Sequence, residues 1–77
     1  MEMELGSIRA GVEMTVTKIP TGSMGERLRQ FGLVEGTQVR CRFARRKLIA
    51  LEWPGTVVAV RRGDLMGFEA RVVSWEN

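Results

Sequence analysis

A chain of 77 residues holds one domain and a small core, since a domain this size buries only about 60–65% of the surface its unfolded form exposes. Twelve basic residues (12 Lys+Arg) against 9 acids give a net charge of +3 and an isoelectric point near 10.0. That mild excess admits nucleic acid, an anionic membrane surface or an acidic protein as partner and selects none of them. With no histidine and no tyrosine, the commonest general base and metal ligand are missing, and the single Cys41 excludes an internal disulfide, a Cys–His nucleophile and a cysteine metal cluster.

The opening Met1-Glu2-Met3-Glu4 is acidic, unlike a secretory leader, and the longest apolar runs, Leu48 to Leu51 and Val57 to Val60, are too short to span a bilayer. The expected location is the cytoplasm. The β-branched run Glu13 to Ile19 predicts a first strand, stopped by Pro20-Thr21-Gly22. A short helix follows. Ser23 and Glu26 have the spacing of a capping box, and Met24, Leu28 and Phe31 recur at helical spacing as an apolar stripe. Gly32 is expected to end the helix in the left-handed conformation, with Leu33 folding back onto Leu28. A helix of about 12 Å is stable only when packed on a sheet.

Val34-Glu35-Gly36-Thr37 reads as a tight turn into a second strand, Thr37 to Ala44. There Val39, Cys41 and Phe43 alternate with Gln38, Arg40 and Arg42, which predicts a core face and a wet face. Cys41 is thereby expected in the core. Arg45-Arg46-Lys47 makes a short connection to strands at Leu48 to Trp53 and Thr56 to Val60, joined by the Pro54-Gly55 pair of a type II turn. Both strands are nearly all apolar, as expected where a closed barrel covers both faces. Asp64 is placed to cap one helical turn over Leu65 and Met66, and Glu69 to Trp75 closes the chain as a fifth strand. The expectation is a mainly β fold in a single domain, residues 1–77. It is a small, five-stranded, partly open barrel with one short helix between the first and second strands.

The phrase Arg27-Leu28-Arg29-Gln30-Phe31-Gly32-Leu33-Val34-Glu35-Gly36-Thr37-Gln38-Val39 resembles the R-L-x-x-[LM]-G-L-x-x-G-x-x-[VI] pattern of the FeoA family. Leu5, Ile8 and Gly11 match that family's opening, and Val57-Val58-Ala59-Val60-Arg61-Arg62 its later apolar run ending in basic residues. The stretch from Phe68 to Val73 looks like its final strand, so the resemblance covers nearly the whole chain in order. Two positions depart from the pattern: Glu35 stands where proline is frequent, and Arg45-Arg46-Lys47 replaces a longer glycine-containing loop. The resemblance implies a cytoplasmic SH3-like barrel that assists FeoB, the GTPase-coupled ferrous-iron transporter, without being an enzyme. It also implies kinship with the C-terminal domain of some iron-dependent repressors, although this chain has no winged-helix or metal-sensing segment.

Two surfaces are candidate partner contacts. One is the helix with its exit turn, offering Met24, Arg27, Leu28, Phe31, Leu33 and Glu35; the other is the basic strand face and turn, Arg40, Arg42, Arg45, Arg46 and Lys47. An arginine acting on a GTPase is chemically feasible, yet no single arginine is singled out. No catalytic residue, cofactor or metal site is expected, since ferrous iron prefers nitrogen and carboxylate ligands and no histidine is present. The expected partner is the cytosolic GTPase region of an FeoB-type transporter, with membrane contact only through it, and exposed sheet edges would allow weak self-association. The alternative is a small basic barrel for RNA or single strands, with Trp53 and Trp75 as candidate stackers. Neither tryptophan alternates with the Arg40–Arg42 face, so nucleic acid is not expected as the partner.

Overall fold

The computed structural model describes residues 2–75, with side chains described through Ser74. Six strands form one antiparallel sheet: β1 (Glu2–Glu4), β2 (Val12–Lys18), β3 (Gln38–Ala44), β4 (Leu48–Trp53), β5 (Thr56–Arg61) and β6 (Glu69–Trp75). Helix α1 (Ser23–Gln30) joins β2 to β3, and 3-10 turns occupy Leu5–Ser7 and Arg62–Leu65. The strand order is β1-β6-β2-β3-β4-β5.

Two expectations are corrected by this order. The sheet has six strands rather than five, because Glu2–Glu4 pairs with β6 through Met3 opposite Ala70. Helix α1 therefore lies between the second and third strands. The sheet also remains open: β1 and β5 end the order and do not pair, so the barrel is not closed. Consequently β5 is not covered on both faces, and Val57 is 55% exposed.

The core collects one face of the strands. Met14 and Val16 of β2, Val39 and Cys41 of β3, Ile49 and Leu51 of β4 and Ala70 of β6 are all buried. Leu5, Leu28, Leu33, Leu65 and Phe68 close over them from the helix and turns. Burying a Leu or Phe side chain of this kind contributes roughly 1.5–3 kcal/mol.

Alternation along β3 breaks after Cys41. Cys41 pairs with Leu51 but Phe43 with Ala50, so Arg42 is an extra, bulged residue. One inserted residue moves Phe43 to the outer face, where it is 40% exposed. The expectation that Phe43 shares the core with Val39 and Cys41 is therefore overturned.

At the start of α1 the capping box is absent. Gly22 is the cap residue, no side chain caps the helix, and Ser23 is already helical. The close approach of α1 to the preceding loop accounts for the small residue at position 25: a Cβ there would meet the Pro20 carbonyl oxygen. The C-terminal cap is as expected. Gly32 has φ 97°, its N–H donates to the Arg29 carbonyl at 2.9 Å, and the Leu33 N–H donates to the Leu28 carbonyl at 3.0 Å. These bonds make a Schellman motif, with buried Leu28 and Leu33 providing the apolar clasp that accompanies it. Asp64 likewise does not cap its turn; it lies inside the 3-10 segment, which follows Arg61 without a side-chain cap.

Candidate docking surface

The exit of α1 is fixed to the β4–β5 turn. The Trp53 indole N–H donates to the Phe31 carbonyl at 2.9 Å, and the Thr56 hydroxyl donates to the same oxygen at 3.4 Å. That carbonyl belongs to the helix C-terminus and has no helical partner of its own. Below it, the Thr37 N–H donates to the Val34 carbonyl at 3.0 Å, and the Val34 N–H to the Thr37 hydroxyl at 3.1 Å, closing the turn to β3. Arg29 spans this turn with Nη2 at 3.1 Å and 3.2 Å from the two Glu35 carboxylate oxygens. A bond from its own backbone amide, together with the Arg29 charge, holds the Glu35 carboxyl below the usual range.

Phe31, at 53%, is the most exposed large apolar residue of this region, ahead of Val34 at 45%. It borders a groove of about 300 Å³ between α1 and the hairpin, with Met24 and Arg27 on its side and Leu48, Val58 and Arg61 opposite. The groove ends at β5, whose outer edge has no paired strand. A larger depression of about 610 Å³ lies between Glu13, Arg40 and Glu52 and the Pro54-Gly55 turn.

The profile of the FeoA domain matches residues 3–70, most of the chain. This chain belongs to the FeoA family. A crystal structure of an iron uptake regulatory protein (FeoA) superposes on this FeoA domain with a TM-score of 0.84 at 20% identity, covering 95% of this chain and 100% of that one. A FeoA-like protein from Clostridium acetobutylicum gives 0.81 at 16% identity over 99% and 92% of the two chains. A manganese-dependent transcriptional repressor gives 0.83 at 16% identity, covering 94% of this chain and 41% of the repressor. At these identities the neighbours show a shared fold. No curated protein matches.

In this FeoA domain the predicted contact residues separate into three groups. Met24, Arg27, Phe31 and Glu35 come together on α1 and its exit turn, whereas Leu28 and Leu33 are buried and shape that surface from beneath. Arg40 stands between acids, with Glu13 and Glu52 as its cross-strand neighbours, and Arg42 pairs with Glu52 at 3.7 Å. The predicted basic face is thus interleaved with carboxylates. Arg45, Arg46 and Lys47 form the third group at the β3–β4 tip, and none of them makes a salt bridge with a described residue.

Two sequence candidates change role. Trp53 is only 5% exposed and holds the helix exit, so it offers no stacking face; the Trp75 side chain lies outside the described residues. Arg62, the basic residue that ends the run from Val57, is a structural clasp. Its guanidinium donates to the carbonyls of Gly6 (2.8 Å), Ile8 (3.0 Å) and Arg45 (2.8 Å). No signal in the sequence distinguishes Arg62 from Arg61, since the targets lie in distant segments. Cys41 is buried, and its thiol donates to the Phe43 carbonyl at 3.1 Å. Among the described residues, no three His, Cys, Asp or Glu side chains gather as a metal site, and no helix is long and apolar enough to cross a membrane.

Proposed function

We propose that this protein is a non-enzymatic, cytoplasmic accessory of ferrous-iron uptake that docks on the cytosolic GTPase region of an FeoB-type transporter. Family membership over residues 3–70 carries the reading, because it assigns a role in ferrous-iron transport. The docking surface is α1 with its exit turn, where Arg27, Phe31 and Glu35 are exposed on a backbone held by the Trp53 and Arg29 bonds. An exposed aromatic on a rigid support suits an interface anchor, since little side-chain freedom is lost on binding.

The test is an NMR titration of labelled protein with the purified FeoB GTPase region. Localised shifts over residues 24–37, reduced by Phe31→Ala without loss of stability, are expected. Saturating GTPase region with no shifts in that segment would refute the assignment. GTP turnover measured in the same samples is expected to be unchanged, because no arginine is set apart for phosphoryl chemistry.

A further inference from the structure

We propose that the tip of the β3–β4 hairpin is a second interaction surface, which docks directly on an anionic lipid bilayer. The inference goes beyond the transporter reading and does not depend on it, since it concerns a lipid rather than a protein; the two surfaces adjoin, with Leu48 and Arg61 also lining the α1 groove.

Three observations carry it. The bulge at Arg42 puts Phe43 on the outer face, 40% exposed. Across the hairpin, Leu48 is 37% exposed and stands opposite Arg61 on β5. Around these two apolar side chains lie Arg45, Arg46, Lys47 and Arg61, all exposed, and none of them makes a salt bridge with a described residue. Basic residues that form no salt bridge with a described residue, beside an exposed aromatic and a leucine, match the two requirements of a bilayer surface. The cations meet lipid phosphates, and the apolar pair enters the boundary below them. Further along the same strand, Arg40 and Arg42 are by contrast interleaved with Glu13 and Glu52.

The same residue types could attract single-stranded nucleic acid, but the geometry favours lipid. The Arg45 guanidinium lies over the Phe43 ring, 5.7 Å from its centroid, and occupies a face on which a base would stack. Leu48 offers no aromatic face at all, whereas an aliphatic side chain serves membrane insertion directly.

The test is vesicle flotation of the whole chain at physiological salt. Vesicles containing phosphatidylglycerol are compared with vesicles of phosphatidylcholine alone. Binding to the first only is expected. The R46Q/K47Q variant should bind about 25-fold more weakly, at about fivefold for each basic residue near an anionic surface. Phe43→Ser should lose about tenfold while keeping the salt dependence, and Arg71→Gln, on β6, should bind as the parent does. Urea unfolding of each variant separates lost folding from lost binding. Equal binding to both vesicle types, full binding by R46Q/K47Q, or an equal loss in Arg71→Gln would each overturn the proposal. So would an oligouridylate that binds more tightly than the anionic vesicles and is lost in the same variants, which would assign the tip to nucleic acid.

Discussion

Arg62 joins three segments that are far apart in the chain, and its worth can be argued from the bonds it makes. Three carbonyls accept from one guanidinium at 2.8 to 3.0 Å. Lysine cannot reproduce that planar fork. Arg62→Lys is therefore expected to cost about 2–3 kcal/mol, the scale of a hydrogen bond to a charged group with partners left unsatisfied, read as a lower urea midpoint at unchanged slope. Arg61→Lys, a solvent-exposed neighbour, should be nearly neutral. Burial pushes the Cys41 thiol up, against a smaller opposing pull from Arg62. A raised folded-state pKa means a contribution present below the unfolded value and lost as pH rises through the folded one. Stability should then decline on the alkaline side of the thiol range, and Cys41→Ala should flatten that decline while lowering stability throughout. In native protein a thiol reagent should label Cys41 only as fast as the chain opens.

Helix α1 is held by its ends more than by its length. Eight residues are too few for an independent helix, so the Schellman cap and the Trp53 bond decide its position. Gly32→Val forces a β-branched residue to φ 97° and should cost about 1–3 kcal/mol. Steric crowding is not the cause, since the nearest atom to a Cβ there would be the Trp53 indole nitrogen at 3.5 Å. Trp53→Phe keeps most of the buried ring and removes the bond to Phe31; a loss of about 1–2 kcal/mol is expected, with faster amide exchange in residues 28–33. These contacts also mark what the sequence could reveal. Strands from Val12 onward, both turns and the Gly32 cap are legible because periodicity, Pro-Gly and glycine placement are local signals. Three residues of β1 carry no period, so the sixth strand is hidden. A single bulged Arg42 cannot be seen in an alternating pattern, and that is why Phe43 is misplaced on the core side. The Trp53–Phe31 and Arg62 bonds join residues distant in sequence, so the support of the candidate surface emerges only in three dimensions.

At the scale of the whole molecule, the open sheet leaves two unlike edges. β1 carries Glu2 and Glu4, charges that discourage further strand pairing, whereas β5 presents Val57 and Ala59 beside an unpaired backbone. Self-association, where it occurs, should therefore run through β5. Val57→Lys is expected to reduce any concentration-dependent mass seen by light scattering, with stability changed by less than about 0.5 kcal/mol at so exposed a site. The strand order has one more consequence, for the ribosome. Of the six strands β6 is made after the others, yet it sits between β1 and β2, the earliest two. Until it emerges, both early strands wait without the neighbour that fills the gap between them, and Arg62 has no settled frame to bind. A nascent chain ending at β5 can thus pair β2 through β5 in order but leaves β1 unattached, and the sheet is completed only once β6 has emerged to bridge them.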